Sequence, residues 1–214
     1  MSNGVVIVGA GQAGFQVASS LRMEGYEEPI ALIGDEPNLP YQRPPLSKGF
    51  MVGKQDIEGT ALRPLAFYQG HRIELVTGAK VTEIDLVGRS VSLASGRHLP
   101  YETLVLAVGA RNRKLLVKGA ELDGVCYLRT DNEAVDIQHR LEHARDIVVI
   151  GGGFIGLELA AAACKLGKSV RVLEVQSRLM PRVVSPILSD FYRDLHTRQN
   201  LPRCRSVGDY RLSG

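Results

Sequence analysis

The sequence predicts an α/β protein that contains two units of the same plan. The main evidence is an internal repeat: a short strand, a glycine-rich turn, an amphipathic helix, a second strand and an acidic residue occur twice in this order. The composition agrees, because 44% hydrophobic and 23% charged residues are typical of a globular protein. A chain of 214 residues is long enough for two domains at roughly 100–200 residues each.

The first copy of the repeat begins close to the N-terminus. Residues 5–8 form a β-branched run, which predicts a buried parallel strand. Residues 15–24 have apolar side chains at helical spacing, and residues 30–33 predict the second strand, which Asp35 and Glu36 follow. The turn between the first strand and the helix has the GxGxxG pattern with Gly9, Gly11 and Gly14.

The second copy follows the same order in the C-terminal half of the sequence. Residues 147–150 predict a strand, residues 157–166 a helix, and residues 169–173 a second strand that ends at Glu174. Its turn contains Gly151, Gly153 and Gly156. A bare GxGxxG is weak evidence, but both copies have the strand, helix and acid that the dinucleotide-binding motif requires. The sequence therefore predicts two Rossmann-type units.

The motif suits a dinucleotide for physical reasons. The first glycine permits a tight turn, the second allows a pyrophosphate to approach the backbone, and the third lets the helix pack closely on the sheet. The pyrophosphate then lies at the positive end of the helix dipole. The acid, Asp35 or Glu36 in the first copy and Glu174 in the second, would bind ribose hydroxyls. The alternative is a pair of ligand-free units that need glycine only for packing.

The two predicted sites imply two dinucleotides, and hydride transfer commonly pairs a bound flavin with a nicotinamide. A carboxylate at Glu174 would repel a 2′-phosphate, which favours NADH over NADPH, although Arg178 lies nearby in the sequence and keeps NADPH as an alternative.

Local patterns also predict the elements around the two copies. Residues 37–53 are rich in Pro and Gly and predict a loop. The expected helices are 62–70, 131–143 and 185–195, and the expected strands are 73–76, 79–84, 90–93 and 104–108.

Several functions are excluded or disfavoured by composition. The net charge of +3 is too small to indicate nucleic-acid binding, and the cysteines Cys126, Cys164 and Cys204 form no metal or disulfide framework. We expect no metal, no signal peptide and a cytoplasmic location. Residues 147–164 lack Lys and Arg, but Glu158 and the glycines argue against a membrane span. The arginine-containing end, 199–214, predicts a disordered tail rather than a nucleic-acid-binding one.

The run YQRPPLSK at residues 41–48 follows the first acid by a few residues. With the two glycine motifs, this run resembles the FAD-dependent NADH:ferredoxin reductases, to which it is fairly specific. These enzymes serve bacterial cytochromes P450 and ring-hydroxylating dioxygenases and include the putidaredoxin, rhodocoxin and rubredoxin reductases. The resemblance extends from about Val5 to Arg198, and the other matching segments are residues 62–64, 104–111, 127–130, 151–158 and 178–186.

The resemblance implies FAD and NADH as cofactors and a ferredoxin or rubredoxin as electron acceptor. It also implies two catalytic residues: Lys48 beside the flavin N5 and O4 edge, and Glu158 paired with this lysine near the nicotinamide. Phe154 and Ile155 match residues near the nicotinamide ring. Beside the glycines and acids above, the expected flavin-binding residues are Ala13, Arg43, Lys48, Val81, Gly109 and Arg129.

Members of the resembled family are about twice as long, so we expect the second unit to be incomplete and the chain to be a truncated or frameshifted product. On this basis residues 1–115 form the N-terminal half of an FAD-binding domain, 116–198 the first part of an NAD-binding domain, and 199–214 an atypical tail.

Three alternatives to an active ferredoxin reductase stay open. The chain is a non-catalytic remnant, a module that binds a nucleotide weakly, or a related NADH oxidase or apoptosis-factor-like flavoprotein. Thiol–disulfide chemistry is disfavoured, because residues 43–48 contain no cysteine and Cys164 is the lone cysteine of its helix.

Overall fold

The computed structural model describes residues 3–198 and divides into two compact units. Unit 1 is formed by the residues up to Gln42 and by Glu58–Arg111. Unit 2 is formed by Arg43–Ile57 and by the residues from Asn112 onward. The expected tail, 199–214, lies outside the described residues.

Unit 1 is built on a four-stranded parallel sheet of β1 (Val5–Val8), β2 (Ile30–Ile33), β3 (Ile73–Val76) and β7 (Thr103–Leu106). The strand order across the sheet is β3-β2-β1-β7. The two central strands are almost wholly buried, which explains their continuous apolar sequence. The connection from β1 to β2 is helix α1 (Gln12–Met23), which packs on the sheet through Phe15 and Ala18.

The remaining elements of unit 1 cover the two faces of this sheet. Helix α2 (Leu65–Gly70) joins the cluster around Phe15, whereas the antiparallel strands β4 (Val81–Asp85), β5 (Ser90–Leu93) and β6 (His98–Pro100) supply the cluster on the other face. A 3₁₀ turn spans Glu58–Thr60. Helix α2 begins three residues later than position 62 because Pro64 is its extended N-cap residue.

Unit 2 repeats the strand–helix–strand plan. Strands β8 (Asp146–Ile150) and β9 (Ser169–Leu173) pair in parallel in a two-stranded sheet, and helix α4 (Phe154–Lys165) connects them. Helix α3 (Asp131–His143) precedes β8, and α5 (Pro186–Arg198) follows β9. Helix α3 begins with a capping box, in which Thr130 and Glu133 each bind the other's backbone N–H. These elements confirm the predicted α/β class with two Rossmann-type units.

The segment Arg43–Ile57 belongs to unit 2, although it interrupts unit 1 in the sequence. It begins with a 3₁₀ helix, Pro44–Ser47, whose first positions are prolines with the φ that this turn needs. Two hydrogen bonds fix the segment near α3: Arg43 Nη1 donates to Arg129 O at 2.6 Å, and Gln138 Nε2 donates to Phe50 O at 2.8 Å. These contacts hold Lys48 in unit 2.

The apolar stretch 147–164, which resembled a membrane span in sequence, is divided between strand β8 and helix α4. Helix α4 has only 12 residues. Within residues 3–198, no helix has both the length and the apolar character needed to cross a bilayer.

Candidate functional site

The first and third glycines of both turns are required by the protein's own backbone. Gly9 and Gly151 have φ of +113° and +109°, a region that side chains rarely adopt. A Cβ on Gly14 would lie 1.9 Å from Gly9 O, and one on Gly156 would lie 2.1 Å from Gly151 O. Folding alone therefore explains these four glycines.

The second glycine of each turn has no such explanation. Gly11 and Gly153 have ordinary φ values of −82° and −81°, and an added Cβ would meet no atom within 4 Å. Both are N-cap residues, and neither has a side-chain cap for the first-turn N–H groups of its helix. Each helix thus presents unprotected backbone donors beside open space, as an approaching pyrophosphate requires. This local geometry fits a dinucleotide.

The acids that follow the second strands occupy different positions in the two units. In each unit, the N–H of the first glycine of the turn donates to the carbonyl oxygen of the last residue of the second strand. Gly9 donates to Ile33 O and Gly151 donates to Leu173 O, both at 2.8 Å. Glu174 follows Leu173 directly, whereas Gly34 follows Ile33. The carboxylates of unit 1, Asp35 and Glu36, therefore come one and two residues after the position that corresponds to Glu174.

The two acids of unit 1 also differ in their surroundings. Asp35 is exposed. Glu36 is half-buried, and its Oε2 accepts a hydrogen bond from Tyr41 Oη at 2.5 Å. Glycine is needed at position 34, because a Cβ there would lie 2.7 Å from Ala10 Cβ.

Glu174 lies beside the glycine turn of unit 2. Its Oε2 accepts from Gly152 N at 2.7 Å, and its Oε1 accepts from Gln176 N at 2.8 Å. The carboxylate is thereby fixed at the end of β9, where the motif places a ribose-binding acid.

Arg178 is already engaged by unit 2. Its guanidinium donates to Val184 O at 2.7 Å, to Ser189 Oγ at 2.8 Å and to Pro181 O at 2.8 Å. Ser189 is buried and donates in turn to Leu179 O at 2.6 Å. These contacts give Arg178 a structural role in the loop between β9 and α5.

An ion pair joins the proline-rich run to helix α4. Lys48 Nζ lies 2.8 Å from Glu158 Oε2, and Ser47 Oγ donates to the same oxygen at 2.6 Å. Lys48 Nζ also donates to Pro44 O at 3.2 Å. The sequence resemblance implied the Lys48–Glu158 pair but missed Ser47, whose only signal was its place beside Lys48 in the run.

Two apolar side chains are exposed in the first turn of α4. Phe154 and Ile155 are 49% and 56% exposed, directly after Gly153. Glu158 lies four residues after Phe154 and three after Ile155, so the three residues are neighbours on the helix surface. Unit 2 therefore places an apolar surface, a carboxylate and its paired ammonium close to one glycine turn.

The other expected flavin-binding residues are distributed over both units. In unit 1, Ala13 is exposed in the first turn of α1, Val81 is half-buried at the start of β4, and Gly109 is exposed after β7 with a φ of +66°. In unit 2, Arg43 is hydrogen-bonded to the carbonyl of the half-buried Arg129.

The cysteines form no disulfide within the described part of the chain. Cys126 is exposed and Cys164 is buried in α4, and neither is part of a disulfide among residues 3–198. Cys204 lies outside the described residues.

Comparison with known proteins gives a consistent set of relatives. Rhodocoxin reductase of Rhodococcus erythropolis is 46% identical over 204 residues, which are 95% of this chain and 48% of that protein. Rubredoxin-NAD(+) reductase of Pseudomonas putida is 41% identical over 189 residues, 88% of this chain and 49% of that protein. The chain thus spans about half the length of these relatives, which confirm the resemblance to the ferredoxin and rubredoxin reductases.

Solved structures agree with the sequence relatives. A ferredoxin reductase from Rhodopseudomonas palustris has a TM-score of 0.89 at 48% identity and is matched over 92% of this chain and 48% of its own. A putidaredoxin reductase in covalent complex with putidaredoxin has a TM-score of 0.85 at 41% identity, with 92% and 48% covered. Residues 3–202 match the family described as pyridine nucleotide-disulphide oxidoreductase. The chain therefore belongs to this family.

Proposed function

We propose that the protein is an FAD-dependent oxidoreductase that passes electrons from NADH to a ferredoxin or rubredoxin, for a P450 or ring-hydroxylating dioxygenase system. The observation that supports this most directly is the Lys48–Glu158 ion pair on the helix that starts at the second glycine turn. A packing role for the glycine turns does not explain why a paired cation lies there. The relatives named reductases of rubredoxin and rhodocoxin support the same reaction.

Unit 2 would bind NADH. Its pyrophosphate would accept hydrogen bonds at the start of α4 beside Gly153, its ribose would bind Glu174, and its nicotinamide would lie against Phe154 and Ile155. The fixed carboxylate of Glu174 would exclude a 2′-phosphate. Arg178 would not counter this preference, because its guanidinium is held by Val184, Ser189 and Pro181.

Unit 1 would bind the ADP part of FAD through its glycine turn and through Asp35 or Glu36. The open space beside Gly11 supports this assignment. The family resemblance adds Ala13, Val81 and Gly109 from unit 1 and Arg43, Lys48 and Arg129 from unit 2. Residues 1–115 would thus serve mainly FAD and 116–198 mainly NADH, with Arg43–Ile57 grouped with unit 2.

Lys48 and Glu158 would have complementary roles. The flavin, when bound, supplies the chemistry that converts a two-electron hydride donor into single electrons for an iron–sulfur protein. The Lys48 ammonium would stabilise negative charge that develops at the flavin N5 and O4 edge. Glu158 would hold this ammonium in place and moderate its charge. We also propose a cytoplasmic location, which a chain without a disulfide framework supports.

Reconstitution with FAD followed by turnover with NADH tests this proposal. The chain should reduce a ferredoxin or rubredoxin. Lys48→Met should lower the rate of this reduction about tenfold, because a loss of roughly 1.4 kcal/mol of charge stabilisation in the transition state corresponds to a tenfold lower rate. Lys118→Met is the matched control, because Lys118 is an exposed lysine of the same unit. FAD uptake without acceptor reduction, but with NADH-dependent oxygen consumption, would indicate an NADH oxidase instead. Failure to bind either cofactor would support the non-catalytic alternative.

A further inference from the structure

Two donors from consecutive residues converge on a single carboxylate oxygen. Ser47 Oγ lies 2.6 Å and Lys48 Nζ 2.8 Å from Glu158 Oε2. The lysine side chain is 51% exposed and the glutamate 30%, whereas Ser47 is only 4% exposed. The buried hydroxyl is therefore the part of this cluster that is shielded from water.

The direction of the Ser47 hydrogen bond follows from the distances. A hydroxyl has one proton, and its two acceptors here are Glu158 Oε2 at 2.6 Å and Pro44 O at 3.5 Å. The shorter contact has the length of a charge-assisted O–H···O⁻ bond, whereas the longer one is outside the ordinary range. Ser47 therefore donates to Glu158.

The segment that supplies Ser47 is held firmly in unit 2. Leu46 and Phe50 are buried, and the backbone N–H groups of Lys48 and Phe50 both donate to Pro45 O, at 2.9 Å and 3.2 Å. The long Lys48 side chain has more conformational freedom than this anchored backbone. Ser47 can thus orient the carboxylate more stiffly than Lys48 can.

We propose that Ser47 is a positioning residue for the Lys48–Glu158 pair. Its hydroxyl fixes the Glu158 carboxylate through Oε2, and the fixed carboxylate then holds the Lys48 ammonium. Among residues 3–198, the Ser47 hydroxyl and the Lys48 ammonium therefore meet at the same atom, Glu158 Oε2. The contribution of Ser47 to hydride transfer rests on the proposed function, but the arrangement of the three side chains does not.

The reactivity of the Lys48 amine tests this arrangement without any cofactor. The chain is treated with limiting acetic anhydride, and mass spectrometry gives the acetylation rate of Lys48 relative to the exposed Lys118. An ammonium held by a carboxylate reacts slowly, so we expect Glu158→Gln to raise the relative rate about threefold. Ser47→Ala should raise it nearly as much, and the double variant no further, because Ser47 acts through Glu158.

The control variants separate the hydroxyl from the packing. Ser47→Thr keeps the hydroxyl and should restore the wild-type rate at Lys48. If Ser47→Ala does not fold, Ser47→Cys replaces it, because the thiol is a weak donor of similar size and should raise the Lys48 rate. The proposal is overturned if the folded Ser47→Ala or Ser47→Cys chain keeps the wild-type rate while Glu158→Gln raises it.

A second readout connects the arrangement to the reaction. In the FAD-reconstituted chain, Ser47→Ala should lower kcat for NADH oxidation about threefold and leave the KM for NADH within about twofold, because the glycine turn and Glu174 are untouched. If Ser47→Ala raises the Lys48 acetylation rate but the wild-type chain never oxidises NADH, the proposed function alone is refuted. An unchanged Lys48 rate in an active enzyme would refute the role of Ser47 alone.

Discussion

Gly34 of unit 1 stands at the position that Glu174 occupies in unit 2, directly after the residue whose carbonyl binds the first glycine of the turn. The two units therefore place their acids differently, although both have a carboxylate close to the end of the second strand. In unit 2 the space next to the turn accommodates the carboxylate because residue 152 is glycine, whereas Ala10 takes the corresponding place in unit 1 and contacts Gly34. The two copies are thus similar in plan and distinct in how they would meet a ribose.

Glu174 should determine the affinity for NADH. Glu174→Gln keeps the shape of the side chain but removes its charge, so we expect NADH to bind about tenfold more weakly, because hydrogen bonds to charged groups contribute roughly 1.5–3 kcal/mol. Discrimination against NADPH should also fall. Titration calorimetry with both nucleotides measures this, and Gln176→Ala is the control, since only the Gln176 backbone binds Glu174. Equal NADH affinity in wild type and Glu174→Gln would contradict the assignment.

Alanine at the second glycine of the unit 2 turn should mainly weaken NADH binding, whereas alanine at the third should mainly lower the free energy of unfolding. Gly153→Ala meets no atom within 4 Å, so the free energy of unfolding should fall by no more than about 1 kcal/mol, the cost of alanine at an N-cap. NADH binding should nevertheless be lost, because the methyl group fills the space beside the helix N-terminus.

Gly156→Ala is the matched comparison. Its Cβ would lie 2.1 Å from Gly151 O, a backbone atom that cannot move freely, so unfolding free energy should fall by about 3 kcal/mol. Urea unfolding measures both variants, and NADH titration measures Gly153→Ala. A Gly153→Ala chain that binds NADH as tightly as wild type would support the packing-only interpretation of the glycine turns.

Tyr68 should make unit 1 sensitive to alkaline pH. Its phenol is buried beside Phe15 and Phe67, and among residues 3–198 it has no hydrogen-bond partner. Burial raises the pKa of Tyr68 to about 12, so the folded state holds the proton more tightly than the unfolded state, whose pKa is about 10. The free energy of unfolding is therefore independent of the ionisation of this phenol below pH about 10 and falls as the pH rises from about 10 to about 12.

Tyr68→Phe should remove this dependence. It should also raise the unfolding free energy near neutral pH by about 1 kcal/mol, because an unsatisfied buried hydroxyl is deleted. Tyr101→Phe is the control, because Tyr101 Oη donates to Asp85 O at 3.3 Å and its loss should be destabilising. Thermal unfolding between pH 7 and pH 11 compares the variants, and an unchanged alkaline profile for Tyr68→Phe would refute this explanation.

Local patterns were sufficient to predict most elements and both glycine turns. The strand β9 and the helix α3 have the predicted bounds, because their apolar periodicity and the capping box are encoded within a few residues. Strand β6 was missed, since it has only three residues, too few to establish a period, and one of them is Pro100.

The candidate site was harder to predict because it depends on contacts that are distant in sequence. Ser47 and Glu158 are separated by 111 positions, so no local pattern links them. Arg178 is a second residue whose role the sequence alone did not indicate. Its charge suggested a phosphate ligand, but its contacts with Ser189 and two carbonyls give it a structural role. The offset of Asp35 and Glu36 relative to Glu174 depends on strand register, which the sequence motif does not specify.

The absorbance spectrum of the FAD-reconstituted chain, recorded without oxygen before and after NADH is added, tests whether this chain is an NADH-dependent flavoprotein. We expect the protein to retain FAD through gel filtration and its visible flavin bands to bleach when NADH is added. Lys48→Met should retain FAD but bleach about tenfold more slowly. A folded chain that retains no FAD, or that retains FAD whose bands NADH leaves unchanged, would contradict the proposed function.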